Sequence, residues 1–491
     1  MHRGALSARV FVAVSTAASL ALAGPAAAAV ITVDTTADNE AADGFCSLRE
    51  ALIAANTDTP HVECPGGDGA DRIVFDLATP ASILLVADLP PITDSVRISG
   101  PGPSQLAIVG LGVFRLIDFD TAAGGFLAVD ELALIDGRSP GGASGGNGGG
   151  ASIGLGETAW FERVHFFENL SLGGGGALAA DSSTAAPSSV TVRECYFESN
   201  VAMGVTGGGG VLMTGTGGVL TVTRSTFFDN DAVDSGGSGG AIAASRGTFV
   251  LDSTTISGNS ANGSGGGVFF QVSSATPVTG SLTVIDSTIT GNVGNADAAG
   301  SGIAGGIEAA VGSNQTGTLE LVNSVVAANL DAGVAARHDL DCTSTVQLLA
   351  SGASFIGSNE GCSTLFPAGS PNAGGNCVGT NSAPLDPDLE PLADNGGPVP
   401  THHPSATPLT ALGVSPLIDQ GSCPGGRTDQ RGHGNPLNGF RRVDLPAVPN
   451  PAGGDGCDVG AVEVDAAPIE QPTIFADGFE SGTTLLWSSE L

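Results

Sequence analysis

Six segments of the chain close on the same residue at nearly the same spacing: WFERVHFFEN, TVRECYFESN, TVTRSTFFDN, VLDSTTISGN, TVIDSTITGN and ELVNSVVAAN. Their last residues are Asn169, Asn200, Asn230, Asn259, Asn292 and Asn329, at intervals of 31, 30, 29, 33 and 37 residues. An earlier copy, AVDELALIDG, closes on Gly137. Such a period restricts the chain to stacked units, because one unit cannot bury its apolar face alone and must lean on its neighbours.

The columns inside the repeat say what is stacked. Eight residues before the closing position stand Val129, Phe161, Val192, Val222, Leu251, Val284 and Leu321; three before it stand Leu134, Phe166, Phe197, Phe227, Ile256, Ile289 and Val326. Five before it the residues are mostly small, Cys195 among them, which suits a buried free thiol. After each asparagine a glycine cluster opens another short run: GGGALAA, GGGVLMT, GGAIAAS, GGGVFFQ, GGIEAAV. With 76 glycines in 491 residues, repeats built of amphipathic helices are excluded. Short strands, β-branched columns and glycine turns predict an all-β, right-handed parallel β-helix over residues 70–337. Stacked asparagine amides bond along such a solenoid as a ladder, so Asn169, Asn200, Asn230, Asn259, Asn292 and Asn329 read as structural. Six before the closing position, Glu131, Arg163, Glu194 and Arg224 alternate in sign. Coils ~4.8 Å apart would bring them together as surface ion pairs worth about 0–1 kcal/mol each.

An open solenoid exposes a raw end, and strand edges left bare invite aggregation. The stretch CSLREALIAAN, Cys46 to Asn56, reads as a cover for that end. Ser47 and Glu50 form a capping box, Leu48, Ala51, Leu52 and Ala55 share one helical face, and Asn56 suits the stop. Before it, two arginines, an apolar run and PAAAAV mark residues 1–29 as a secretory signal. Export permits disulfides, and sequence proximity pairs Cys46 with Cys64, Cys342 with Cys362 and Cys423 with Cys457. Cys195 and Cys377 are left unassigned. No cysteine pair has zinc-finger spacing.

The formal charge is −34, and all 16 basic residues are arginine. Nucleic acid is thereby excluded as a partner, lysine chemistry is absent, and an anionic polymer would need arginine or bridging Ca²⁺ to approach. Ca²⁺ is the only cofactor the composition invites. No later run is long and apolar enough to span a bilayer. The expected product is a secreted or surface-held monomer.

CSLREA, followed by ADLPPITDSVRISGPGP and the asparagine and glycine repeats, resembles the bacterial secreted CSLREA-domain proteins. LADNGGPVPTHH, SPLIDQG, TDQRG and CDVGAVE resemble the choice-of-anchor Q module. The resemblance runs to Asp465 and implies a cap over 30–69, β-helix repeats over 70–337 and an irregular module over 338–465 behind them; a linker with a short tail follows over 466–491. It implies no biochemical activity. The polar set of the module comprises Asp394, His402, Asp419, Asp429, Arg431, Asp458 and Glu463. These would bind Ca²⁺ or serve acid–base chemistry, or else hydrogen-bond turns that close the far end of the solenoid. The polysaccharide-cleaving alternative has little to stand on. GHG at Gly432–Gly434 lies inside the module, and Arg193 and Arg224 beside Glu162, Glu194 and Asp229 have generic spacing. The expected function is non-enzymatic adhesion, binding of a surface glycan or envelope component, or a structural role. A lyase or hydrolase acting on an extended polymer is the alternative.

Overall fold

A computed structural model of the chain describes residues 29–464, apart from 123, 141–145, 300–301, 406–414, 423–427, 433–443, 446–447 and 452–453. The signal segment, Cys423, His433 of the GHG motif and the C-terminal tail lie outside the described residues.

One coil gives the plan of all. Strand Ser189–Arg193 meets a corner at Glu194, and strand Tyr196–Glu198 meets a second corner at Ser199. Asn200 and strand Val201–Ala202 follow, then a glycine bend leads into strand Val211–Gly215. Each strand pairs in parallel with its counterparts above and below: Val192 lies between Phe161 and Val222, Phe197 between Phe166 and Phe227, and Leu212 between Ala179 and Ala243. The result is three unclosed sheets of 20, 7 and 8 strands. The only antiparallel pairing of named strands among the described residues is Leu330–Asp331 with Ala336–Arg337. The fold is an all-β parallel solenoid with one short N-terminal helix. The long sheet begins at Val30–Val33 and continues through Val346–Gly352 and Cys377–Val378, so it outruns 70–337 at both ends.

The alternating-charge column is first of all a corner column. Glu131, Arg163, Glu194, Arg224, Ser253, Asp286, Asn323 and Ala353 all hold φ between 48° and 58°. Asp136, Glu168, Ser199, Asp229 and Ala328, each next to the ladder position, form a second left-handed column. A left-handed residue between two strands bends the chain sharply, at about 1 kcal/mol or more for a residue bearing a Cβ. Two ladders brace these bends from inside. At the second corner each asparagine Oδ1 accepts both the backbone N–H and the amide of the preceding rung, at 2.8–3.1 Å from Asn169 through Asn329. Asp339 ends the row, taking the N–H and amide of Asn329 on its Oδ1 at 2.7 and 2.9 Å. At the first corner hydroxyls do the same work: the N–H of Cys195 donates to Ser225, that of Thr254 to Ser287, and that of Ser287 to Ser324. Cys195 is a rung of that row, with Val164 N donating to its Sγ, and burial pushes its thiol up to about 12.

Phe166, Phe197 and Phe227 stack inside with ring centroids 4.6 and 4.4 Å apart, all fully buried. At the N-terminal end, helix Leu48–Thr57 carries the full capping box between Ser47 and Glu50. It stops at Asp58, which is left-handed, while Asn56 reaches instead to Pro91 and Thr93. Cys46 is bonded to Cys64 and Cys342 to Cys362. Cys457 is also disulfide-bonded. Arg49 grips both oxygens of Asp38 at 2.8 Å and the carbonyls of Ala87 and Asp88, fastening the helix over the first coils.

Candidate functional site

The C-terminal segment does not simply sit behind the last coil. It lies back along the flank of the solenoid, over the outward face of the three-residue strands. Thr226 Oγ1 donates to the carbonyl of Pro400 at 2.6 Å, and Thr255 Oγ1 donates to Gln430 Oε1 at 2.6 Å. Gln430 Nε2 in turn donates to Ser225 O and Thr226 Oγ1, and Ala461 N donates to Thr288 Oγ1. Leu417 and Val459 pack on Val325, Ala327 and Phe355. At Gly460 a Cβ would fall 2.8 Å from Thr288 Oγ1, so the approach there requires glycine. Thr226, Thr255, Thr288 and Val325, outward on their strands, are buried as a consequence.

The polar set of the module belongs to this docking, and the structure brings five of its seven members together. Asp419 N donates to Asp458 Oδ1, Asp458 N to Glu463 Oε2, and Glu463 N to Asp429 Oδ2. Arg431 Nε lies 2.8 Å from Asp429 Oδ2, and its NH2 donates to the carbonyl of Glu463 at 2.7 Å. All five residues are buried. Their carboxylates fix backbone N–H groups of an irregular segment that has few strands to satisfy them. Burial, and then the charge of Asp458, pushes the Asp419 carboxyl up to about 7. His402 stands apart, between Ser257 Oγ at 2.8 Å and the carbonyl of Glu390 at 2.7 Å. A carbonyl only accepts, so Nδ1 carries the proton and Nε2 accepts from the serine. Burial lowers the His402 pKa, which favours this neutral form. Asp394 is exposed and bonds the N–H of Gly396 in a local turn. Among the described residues no group of three or more His, Cys, Asp or Glu is placed to hold a metal.

The other set, Arg193 and Arg224 with Glu162, Glu194 and Asp229, is divided by the corners. Arg163 joins Glu131 at 2.5 Å, Glu162 at 3.2 Å and Glu194 at 3.2 Å, and Arg224 bonds Glu194. Arg193 is held between Glu162 at 3.7 Å and Glu194 at 3.5 Å. Asp229 lies at the second corner and accepts from Ser199. Both arginines are thus partners in a chain of ion pairs along the first corner.

Sequence reasoning passed over the open surface of the early coils. There Arg97, Phe126, Asp130, Trp160 and Glu162 line a shallow cavity of about 120 Å³. Trp160 and Phe126 remain 40% and 41% exposed. Around the next corner His165 stacks on Tyr196 at 4.8 Å and bonds Glu198 at 3.1 Å. The signal was available: outward strand positions hold Trp160, His165 and Tyr196 in these coils and Thr221, Thr255 and Thr288 in later ones.

No protein-family model matches the chain, and no curated protein matches it significantly. No helix among the described residues is long and apolar enough to cross a membrane.

Proposed function

We propose that the protein is a secreted, surface-associated and non-enzymatic binding protein of the CSLREA-domain and choice-of-anchor Q kind. Its coils would be right-handed, the hand that twisted parallel strands favour. The observation that carries this reading is the fate of the polar candidates. Asp419, Asp429, Arg431, Asp458 and Glu463 are buried and bonded to one another inside the module that lies on the coils, while Trp160 and Phe126 stand partly exposed on the uncovered coils. A rigid rod clasped at one end and open along one flank suits display and binding. The residue 1–29 signal and the module resemblance support export and attachment. The −34 charge disfavours nucleic acid and other polyanions, and the reading is of a monomer that binds a surface glycan or envelope component.

The test is fractionation of producing cells, followed by a screen of the purified protein on a glycan array and a panel of polysaccharides with and without Ca²⁺. Retention on the cell envelope with glycan binding and no cleavage is expected. Release of reducing ends or unsaturated sugars would overturn the non-enzymatic reading in favour of a lyase or hydrolase.

A further inference from the structure

The cavity on the first coils has the ingredients of a sugar subsite. Trp160 points outward between Ala128 on one neighbouring strand and Thr191 on the other. Small side chains on both sides leave the indole face uncovered. Two residues further along, at the next outward position, Asp130 and Glu162 are adjacent. Arg97 spends its Nε on Asp130 and Ser99, and its terminal nitrogens make no hydrogen bond among the described residues. Glu162 Oε1 meets Arg163, while its Oε2 has no partner among the described residues. A flat apolar plate therefore stands beside ion-paired groups whose outer atoms, the Arg97 terminal nitrogens and Glu162 Oε2, make no hydrogen bond among the described residues.

Charge narrows the ligand. In a chain of formal charge −34, the cavity lining sets Arg97 against Asp130 and Glu162, with Arg163 and Arg193 also paired to Glu162, so the patch offers no unpaired cation among the described residues. A polyanion gains nothing here, since each guanidinium already has a carboxylate. A neutral ligand with a flat apolar face and a hydroxyl rim fits better. Pyranoses whose hydroxyls are all equatorial present axial C–H bonds on both faces, which lie on an aromatic ring while the rim reaches the charged groups.

We propose that this face binds a neutral, β-1,4-linked pyranose polymer of glucose or xylose configuration, with Trp160 as the stacking plate and Arg97, Asp130 and Glu162 on the rim. The proposal rests on the binding reading above and names its ligand and site.

The experiment uses the full-length mature protein carrying Trp487→Phe, so that Trp160 is the only indole. Cellohexaose and xylohexaose are titrated while the fluorescence is followed, at low and high NaCl. Saturable change in the emission with either sugar is expected, with affinity altered less than twofold by salt because no net charge is neutralised. By calorimetry, Trp160→Ala in the wild-type background should weaken binding at least tenfold and Glu162→Gln severalfold, with the circular dichroism unchanged. No emission change and no heat with either sugar overturns the proposal. So does binding that Trp160→Ala leaves intact, or binding confined to polygalacturonate and abolished by salt. In those last two cases the broader binding reading survives; cleavage of the hexasaccharides would instead overturn that reading.

Discussion

Replacing Asn230 with leucine removes one rung of the ladder while keeping roughly the same side-chain volume. In the native coil, Asn230 Oδ1 accepts from Asn200 N at 3.1 Å and from Asn200 Nδ2 at 2.8 Å. Its Nδ2 donates to Asn259 Oδ1 at 2.8 Å, to Phe197 O at 3.0 Å and to Phe228 O at 3.2 Å. The five partners do not suffer equally. The N–H of Asn200 loses its acceptor outright and is fully buried, a cost of about 1–3 kcal/mol. Asn200 Nδ2 keeps Phe166 O, and Asn259 Oδ1 keeps Asn230 N, so these two and the carbonyls of Phe197 and Phe228 lose about 0.5–1.5 kcal/mol each. The sum is on the order of 3–9 kcal/mol, a large fraction of an ordinary domain's stability. Urea unfolding followed by circular dichroism should show the loss. Because stacked coils can open locally, amide exchange across residues 195–235 should rise before the rest of the chain. A variant within about 1 kcal/mol of the parent, the range of many surface substitutions, would refute the ladder as a source of stability.

Phe197 lies mid-stack between Phe166 and Phe227; Phe197→Ala should cost about 3–5 kcal/mol in urea melts, and Phe197→Asp should leave no folded protein in the soluble fraction. Gln430→Ala removes the side chain shared by Ser225, Thr226 and Thr255, and limited proteolysis should then cut within residues 385–464 while the coils melt as before. For pH, burial pushes the Asp339 carboxyl up to about 6 and that of Asp419 up to about 7, both above the usual carboxylate value. The folded chain therefore holds these protons more tightly than the unfolded chain, so their stabilisation is complete below pH ~4 and is lost as pH rises to about 6 for Asp339 and about 7 for Asp419. Thermal melting should be higher at pH 5 than at pH 8, and Asp419→Asn should flatten the difference.

The inward columns were legible because they repeat. An apolar residue at a fixed offset in seven successive copies leaves one geometry, and Val192, Phe197 and Asn200 are found in the register their columns imply. The corners were not legible. Arginine, glutamate, serine, aspartate and asparagine all occupy the first left-handed column, and nothing in their chemistry announces positive φ. The alternation of Glu131, Arg163, Glu194 and Arg224 drew the eye to charge, although the backbone bend is shared by every coil and the ion pairs by only four. In CSLREA the roles of Ser47, Leu48 and Glu50 follow from helix rules. That of Arg49 does not, since its partners Asp38, Ala87 and Asp88 are brought to it only by the tertiary fold.

The outward columns hold what inward periodicity could not reveal: which part of the rod is covered. A solvated strand position tolerates any polar residue, whereas a position under another segment needs a small side chain whose hydroxyl can be satisfied there. Thr226, Thr255 and Thr288 in the outward column meet that second condition, Val325 continues the column as an apolar residue under Leu417 and Val459, and all four are buried beneath the module. One coil earlier the same column holds Tyr196, and before it His165, too large to admit a segment at the same distance. The change of residue type between Tyr196 and Thr226 therefore marks where the module's cover begins. On the uncovered side Trp160 and Phe126 stand 40% and 41% exposed beside Arg97, Asp130 and Glu162, a combination that the outward column under the module does not contain and that the proposed binding face uses.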